Sequence, residues 1–280
     1  MRIYISQNSS FLGDVKRNWE RDLSNIEKAI EKKADLIIFP ELSITGYSLQ
    51  DLVQDVALEL KKMKIEEKLK ELSKKISIIT GYVEEESKGL FYNSALFFSE
   101  GEVIHKHKKV YLPNFGLFDE KKFFAGGKNF KTFNTKFGKF GLLICRDFFH
   151  ISSSYVLFLG NVDYLVVISA SPSRQIKEDP SFVSTESWEL IGKVVSKFFT
   201  TYVMYVNRVG FEDGLGFSGG SYIYDPFGNL AWKAPYLEEH FEIKEINPLD
   251  LRRARVIATY RRDEMPEIIY FEVERLIKER

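Results

Sequence analysis

The chain has 280 residues, enough for one large domain or two small ones at about 150 residues per domain. Lysine and arginine together number 40, as do aspartate and glutamate, so the formal net charge is zero. This balance argues against a nucleic-acid-binding protein, because such proteins usually carry a basic excess. The hydrophobic content of 44% is ample for a large core, and 18 glycines with 8 prolines argue against long disordered segments.

Cysteine occurs once, at position 145, which excludes an intrachain disulfide and most cysteine-rich metal sites. The N-terminal sequence MRIYISQNSS lacks the apolar core of a secretory signal. The longest apolar runs, such as YLVVIS at 164–169, are far shorter than the ~20 residues needed to span a bilayer. We therefore expect a cytoplasmic protein that binds neither membranes nor nucleic acid.

Apolar runs that alternate with amphipathic segments predict an α/β protein with sheets buried on both faces. The predicted strands are RIYISQN at the start, 34–41, 76–83, 94–100, 140–145, 163–169, 201–207 and 219–225. The predicted helices, in which apolar residues recur at steps of three and four, are 14–33, 55–75, 148–159 and 184–199. The turn YDPFGN at 224–229 predicts a hairpin. Because no linker or repeat interrupts this rhythm, we predict a single domain over 1–250 and a C-terminal extension over 251–280.

Three predicted strands end at a reactive side chain. Glu41 follows DLIIFP, Lys109 follows VIHKHK and Cys145 closes FGLLIC. Ligands of α/β sheets bind beyond the carboxyl ends of strands, so these ends can meet at one site with a base, an oxyanion stabiliser and a nucleophile. Taken singly, each residue also has an ordinary structural interpretation. Glu41 could be a solvated carboxylate in a turn, Lys109 a member of a solvated lysine cluster, and Cys145 a small buried hydrophobic residue. Composition and periodicity do not choose between them.

The surrounding sequences resemble the nitrilase superfamily of carbon–nitrogen hydrolases. Three blocks are similar to its catalytic blocks: FPELSITGY at 39–47, KVYLPNFGLFDEKKFFAGG at 109–127 and GLLICRDFF at 141–149. NRVGFEDGLGFSGGSYIYDPFGN at 207–229 and RRDEMPEIIY at 261–270 look like later blocks, so the resemblance covers about residues 1–270. Within the family, TGYSLQDL, LPNFGLFDEKKFF and SGGS look closest to the glutaminase domain of glutamine-dependent NAD synthetase.

The resemblance implies a four-layer αββα sandwich with a Glu–Lys–Cys triad. Glu41 would be the general base that takes the thiol proton of Cys145, and the thiolate would attack an amide carbonyl. Lys109 and the backbone N–H of Arg146 would stabilise the oxyanion. Ammonia or an amine would leave a thioester that water hydrolyses, while Glu120, which matches the family's second glutamate, would support Lys109. We also expect amides at the N-terminus of the following helix to lower the thiol pKa.

Two departures from the glutaminase pattern bear on the substrate. Arg146 stands where that branch usually has a glutamate able to pair with the α-ammonium of glutamine, and Phe115 replaces a tyrosine. If Arg146 faces the pocket, it favours an anion and makes free glutamine a poor substrate. Alternatively, it points away and pairs with Asp147 or another acid. Ser171 and Arg174 follow a strand and are candidates for the pocket rim, Arg174 as a carboxylate ligand.

Other features have structural interpretations. FSGGSYI at 217–223 resembles the pyrophosphate-binding loop of ATP-dependent ligases but lacks its aspartate, so we interpret the glycines as structural. His105 and His107 alternate on one strand face, yet 4 histidines and 1 cysteine leave few further ligands. We therefore predict no metal and no other cofactor. His150 is interpreted as a partly buried helix residue.

The predicted function is a cofactor-free hydrolase that cleaves a non-peptide C–N bond of a small linear amide or N-carbamoyl compound. Two alternatives stay open: a glutaminase subunit that hands ammonia to a separate synthase, and a non-catalytic binding protein on the same fold. The second is disfavoured because every triad residue is present. Extensions in this family often cross a subunit interface, so the segment 251–280 suggests a homodimer or a larger homo-oligomer, with a helix folded onto its own domain as the alternative.

Overall fold

The computed structural model describes residues 1–173 and 183–279. Its strands are β1 (Arg2–Gln7), β2 (Leu36–Ile38), β3 (Ser77–Ser87), β4 (Leu90–Ser99), β5 (Glu102–Lys108), β6 (Thr132–Thr135), β7 (Gly138–Ile144), β8 (Tyr164–Ser169), β9 (Tyr202–Asn207), β10 (Val209–Glu212), β11 (Leu215–Ser218), β12 (Tyr222–Tyr224), β13 (Leu230–Lys233) and β14 (His240–Glu245). Its helices are α1 (Val15–Glu31), α2 (Val53–Lys62), α3 (Ile65–Ser73), α4 (Glu120–Phe123), α5 (Arg146–Phe149), α6 (Ile151–Leu159), α7 (Val183–Phe199), α8 (Leu249–Ile257), α9 (Tyr260–Asp263) and α10 (Pro266–Lys278).

Two six-stranded sheets form the framework of the described part of the chain. The first has the order β14-β1-β2-β3-β4-β5 and the second the order β13-β12-β9-β8-β7-β6. The central strands run parallel in both sheets, and the flanking strands pair antiparallel to them. The candidate residue Glu41 lies shortly beyond the carboxyl end of β2 in the first sheet, and Cys145 directly follows β7 in the second.

Three apolar clusters show how the layers stack. Ile3 and Ile5 of β1 face the second sheet, while Tyr4 between them packs with α1, as the period of two along a strand requires. A third cluster joins the outer face of the second sheet to α5, α6 and α7, for example through Leu157 and Trp188. The resulting order is helix, sheet, sheet, helix. The predicted αββα fold class is thereby confirmed.

Several predicted elements differ from those observed, among them the helix over 148–159, which is divided at His150 into α5 and α6. The charged helix predicted over 55–75 is divided into α2 and α3, because Lys64 between them has a φ of 53°, in the left-handed region. The strand predicted over 219–225 begins only at Tyr222. Gly219 and Gly220 before it both have a φ of 69°, and a Cβ on Gly220 would lie 2.3 Å from the Tyr236 ring. These contacts agree with a structural role for the two glycines.

The C-terminal segment has two parts with different packing. Leu251 and Ala254 of α8 are buried, Leu251 in the cluster between the sheets, and Arg255 forms an ion pair with Asp163 at 2.7 Å. No residue of α10 is buried, and its apolar side chains are about half exposed or more, with Phe271 at 62%. The domain boundary at residue 250 and the interface role of 251–280 stay predictions. Among the residues with described positions, no helix is both long and apolar enough to cross a membrane.

Candidate active site

The carboxyl ends of β2 and β5 lead to a buried cluster of charged side chains. The Nζ of Lys109 donates to Oε1 of Glu41 at 2.7 Å and to Oε1 of Glu120 at 2.6 Å. The side chains of Lys109 and Glu41 are fully buried, and that of Glu120 is 7% exposed. Two carboxylates thus share one ammonium group in a water-poor site. Three of the four predicted catalytic residues are in direct contact in this cluster.

The Glu41 carboxylate is held from both sides. Its Oε1 also accepts a hydrogen bond from Nδ2 of Asn93 at 2.7 Å, and its Oε2 accepts one from the backbone N–H of Ala170 at 2.7 Å. Together with Lys109, these donors fix the orientation of the carboxylate. Sequence reasoning missed Asn93. The signal for it is an amide side chain within the otherwise largely apolar strand LFYNSALFFS, because a buried amide needs a partner.

Glu120 connects the lysine to the loop after β2. The Tyr47 hydroxyl donates to Oε1 of Glu120 at 2.6 Å. Burial raises the pKa of Glu120 to about 7; the Lys109 ammonium opposes this rise and the Glu41 charge adds to it. Burial alone would lower the pKa of Lys109, but the charges of Glu120 and Glu41 raise it above the usual value. The lysine therefore stays charged, and Glu120 is the cluster member that titrates near neutrality.

Cys145 lies at a strained turn between β7 and α5. Its φ of 44° and ψ of −105° fall outside the regions favoured by residues with a Cβ. Its backbone N–H donates to the carbonyl oxygen of Ile168 at 2.9 Å, so the turn is anchored to the neighbouring strand β8. Strained backbone of this kind is concentrated at functional sites, where the surrounding structure holds it in place. The turn places the Cys145 side chain at the carboxyl end of β7.

The expectation of a lowered thiol pKa is wrong. Burial and then the Glu41 charge raise the pKa of Cys145 to about 12, while Lys109 and a hydrogen bond with Ser169 oppose the rise. Helix α5 has only 4 residues, so its dipole is too small to offset these effects. At neutral pH the sulfur therefore rests as a thiol. A reaction at this sulfur needs a base to remove the proton.

Asp147 ties the cysteine turn to the strand that carries the lysine. Its Oδ1 accepts from the backbone N–H groups of Val110 and Tyr111 at 3.0 and 2.8 Å, and its Oδ2 lies 2.8 Å from Nε2 of His107. The side chain is fully buried. Sequence reasoning considered this residue only as a partner for Arg146. Its position 2 residues after the cysteine was the only signal of a positioning role.

The histidines have partners other than a metal. His107 contacts Asp147, and His105 stacks on Phe133 with ring centroids 4.2 Å apart. His150 stacks on Tyr111 with centroids 3.5 Å apart, between α5 and α6 and not within a helix as expected. No group of three or more potential metal ligands is present within residues 1–173 and 183–279.

An apolar cavity of about 120 Å³ opens onto Cys145. The predicted substrate-binding residues Arg146, Phe115 and Ser171 line it. Its other lining residues, which sequence reasoning did not single out, are Pro113, Phe118, Phe149, Pro172 and Trp188. Arg174, the fourth predicted substrate-binding residue, lies outside the described residues. The cavity is large enough only for a small molecule.

Arg146 faces this cavity and not Asp147. The Cζ of Arg146 lies 5.0 Å from the centroid of the Phe115 ring and 5.4 Å from that of Phe149. Both carboxylate oxygens of Asp147 are already engaged by His107 and two backbone N–H groups. Of the two orientations considered from the sequence, the one toward the pocket is observed. Ser171 is held nearby by a hydrogen bond from Nε1 of Trp188 to its Oγ at 2.8 Å.

Comparisons with known proteins identify the family of this chain. The sequence model of the family described as Carbon-nitrogen hydrolase matches residues 2–256. The glutamine-dependent NAD(+) synthetase of Acinetobacter baylyi is 34% identical over 246 residues, covering 88% of this chain and 44% of that protein. The chain thus spans less than half of the length of this relative.

Two solved structures share the fold. The carbon–nitrogen hydrolase of Helicobacter pylori G27 has a TM-score of 0.85 at 23% identity and covers 95% of this chain and 97% of its own. An amidase mutant from Nesterenkonia sp. AN1, with a covalent addition of the acetamide moiety of fluoroacetamide at its active-site cysteine, has a TM-score of 0.81 at 20% identity, with 96% and 95% coverage. This chain belongs to the carbon–nitrogen hydrolase family and is a hydrolase that acts on C–N bonds.

Proposed function

We propose that this enzyme cleaves the C–N bond of a small linear amide or N-carbamoyl compound through a thioester on Cys145. The observation that carries the proposal is the position of this thiol between two environments. On one side lies the small apolar cavity, and on the other lies the charged cluster of Glu41 and Lys109. No cofactor is needed for such a reaction, because the chain itself supplies nucleophile, base and cation.

The chemistry begins with proton transfer. Glu41 accepts the Sγ proton of Cys145 as the sulfur forms a bond to the carbonyl carbon. Lys109 and the backbone N–H of Arg146 stabilise the negative charge that develops on the carbonyl oxygen. When the tetrahedral intermediate collapses, the C–N bond breaks and Glu41 returns the proton to the leaving nitrogen. Ammonia or an amine departs and leaves an acyl group on sulfur.

Water completes the cycle. Glu41 takes a proton from a water molecule while the oxygen of that water attacks the thioester carbonyl carbon. The C–S bond then breaks, the sulfur takes the proton back and the acid leaves. The raised pKa of Cys145 fits this sequence, because a thiol that stays protonated at rest loses its proton only when the base and the substrate are both in place. Glu120 would support Lys109 throughout by keeping the ammonium in position.

Ammonia release from a substrate panel tests this proposal. The panel contains simple amides, ω-amides, N-carbamoyl acids, nitriles and glutamine, with Cys145→Ala measured alongside. We expect one class to be hydrolysed and the variant to lose at least ~10³-fold in kcat, as removal of a covalent nucleophile does. Hydrolysis in Cys145→Ala at the wild-type rate would contradict the thioester mechanism. If the wild type hydrolyses no member of the panel and Cys145 does not react with alkylating reagents, the non-catalytic binding protein is favoured.

A glutaminase that supplies ammonia to a separate synthase is the second candidate. The similarity to a glutamine-dependent NAD(+) synthetase favours it, with 34% identity over 88% of this chain. This candidate predicts that glutamine is the best substrate of the panel and that a partner synthase increases its turnover. If glutamine is slow and no synthase co-purifies, the stand-alone hydrolase is favoured.

We further propose that α10 forms part of a homo-oligomer interface. The support is its apolar side chains Ile269 and Phe271, which are 48% and 62% exposed. We expect light scattering to give a multiple of the 32.6 kDa chain mass for the wild type and the single mass for Ile269→Glu combined with Phe271→Glu. The control Lys278→Glu changes charge on the same helix without removing apolar area. A monomeric wild type would overturn this assignment.

A cytoplasmic location stays a prediction.

A further inference from the structure

Arg146 brings a positive charge to the wall of the reaction cavity. It follows the candidate nucleophile directly in the chain, is half-buried, and lines the same cavity as Cys145. The rings of Phe115 and Phe149 lie near its guanidinium group, at 5.0 and 5.4 Å. Aromatic rings hold the plane of a guanidinium group but do not use its N–H donors in that plane. The contact therefore orients the group without neutralising it.

No carboxylate among residues 1–173 and 183–279 forms an ion pair with Arg146. The neighbouring acid, Asp147, uses both oxygens on Val110, Tyr111 and His107. The two other acids near the reaction centre both bind Lys109. Asp147, Glu41 and Glu120 are thus bound to groups other than Arg146. A half-buried guanidinium beside apolar walls gains most from a partner that can form two parallel hydrogen bonds.

We infer that the substrate carries a carboxylate, which pairs with Arg146 while the C–N bond at the other end of the same molecule lies at Cys145. This inference rests on the proposed function and names its substrate class: short linear ω-amides or N-carbamoyl compounds with a free acid group. The cavity of about 120 Å³ limits such a substrate to a short chain. Arg146 acts as a specificity-determining residue, with its side chain on the substrate acid and its backbone N–H at the oxyanion.

The same geometry predicts a discrimination against amino acids as substrates. Among the described residues that line the cavity, none is acidic. An α-ammonium group next to the substrate carboxylate would therefore enter beside Arg146 with no charge partner from this wall. Such a cation is repelled by the guanidinium and loses its hydration. We expect an acid without the amino group to be preferred over glutamine.

A matched pair of substrates tests the inference on turnover. Succinamate and n-butyramide have the same amide and the same length, but only succinamate ends in a carboxylate. We expect kcat/KM to be at least ~10-fold higher for succinamate, the size of one charge-assisted contact. In Arg146→Gln the ratio of the two kcat/KM values should fall toward one, and Arg146→Lys should recover part of it. The control Arg253→Gln, an exposed guanidinium on α8, should change neither rate. Equal loss of both substrates in Arg146→Gln would overturn the inference.

Alkylation of Cys145 tests the anion site without any turnover. Because this is the only cysteine, iodoacetate and iodoacetamide both report on one sulfur by mass. We expect Arg146→Gln to lower the ratio of the iodoacetate rate to the iodoacetamide rate by ~10-fold. An unchanged ratio would overturn the inference even if amides are hydrolysed. A lowered ratio with no amide turnover would leave the anion site standing and remove the proposed function instead.

The wild-type protein offers a further measurement that does not depend on the folding of a variant. Succinate has two carboxylates and no amide, so it can occupy the site without reacting. We expect succinate to slow the iodoacetamide reaction of Cys145 and butane-1,4-diol at the same concentration to leave it unchanged. Equal protection by the neutral diol would show that occupancy depends on shape alone, and would overturn the assignment of a carboxylate to Arg146.

Discussion

Two buried ion-pair clusters in this enzyme differ in charge balance. Arg208 donates from Nη1 to Oε2 of Glu212 at 2.6 Å, so one cation meets one anion in a site that is almost completely buried. In the other cluster, Lys109 meets both Glu41 and Glu120. The unbalanced cluster holds excess negative charge beside a thiol. Burial raises the pKa values of Glu120 and Cys145, and the Glu41 charge adds to both increases.

In the balanced pair of Arg208 and Glu212, the carboxylate also accepts hydrogen bonds from the backbone. Oε1 of Glu212 accepts from the N–H groups of Tyr47 and Ser48 at 2.8 and 2.6 Å, which fixes the loop after β2. The hydroxyl of the same Tyr47 donates to Glu120 in the other cluster. One residue therefore links a cluster that shapes the loop to a cluster that holds the reacting groups. The comparison teaches that burial of charge alone does not identify a reactive site, whereas unequal charge does.

The largest effect is expected from Glu41→Gln. Removal of the base should lower amide hydrolysis by ~10²–10⁴-fold. Because the Glu41 charge contributes to the raised pKa of Cys145, the variant thiol should ionise at lower pH than the wild-type thiol. Amide kinetics and the pH dependence of iodoacetamide modification measure the two effects. Hydrolysis within ~10-fold of wild type would remove Glu41 from the role of base.

Glu212→Ala should affect stability before chemistry. The change leaves Arg208 buried without its partner, which typically costs ~3–5 kcal/mol of unfolding free energy. Urea unfolding measures the loss of unfolding free energy. The rate of amide hydrolysis at saturating substrate, calculated per folded molecule, should fall much less in Glu212→Ala than in Glu41→Gln. The matched control Glu86→Ala breaks the exposed pair with Lys108 and should leave the unfolding curve unchanged. If Glu212→Ala unfolds like wild type, the balanced pair does not stabilise the loop after β2.

A smaller effect is expected on the pH dependence of folding stability. The pKa of Glu120 is raised by burial from 4.5 to about 7, so between these values the folded protein binds a proton that the unfolded chain has released. Folding stability from this group is therefore present at low pH and falls as pH rises through that window. Glu120→Gln should flatten this part of the curve, which urea titrations at pH 5, 6, 7 and 8 would reveal. Parallel curves for the two proteins would contradict the raised pKa.

Strand and helix periodicity predicted an α/β protein with buried sheets, whereas the αββα order and the site roles came from the resemblance to the nitrilase superfamily. Lys109 and Cys145 follow β5 and β7 directly, and Glu41 lies shortly after β2. The break at Lys64 could not be predicted, because a lysine in the left-handed region has no sequence signal. The split of one long helix into two depends on how both segments pack.

The supporting residues of the site were missed for a different reason. Asn93 lies 52 residues from Glu41, and Asp147 lies 36 residues from Tyr111, so neither contact exists before the sheets pair. The sign of the Cys145 pKa shift also depends on three dimensions, since burial and a carboxylate outweigh a lysine and a short helix. Sequence patterns place reactive groups at strand ends but do not weigh opposing electrostatic effects.

The resting thiol has a consequence for oxidative damage. Peroxides oxidise the thiolate and not the thiol, so a cysteine with a pKa of about 12 is a poor target between turnovers. The sequence contains no second cysteine that could trap a sulfenic acid as an intrachain disulfide. Resistance of this sulfur to oxidation therefore depends on its protonation at rest. We therefore expect the burial that keeps this sulfur protonated also to keep it reduced.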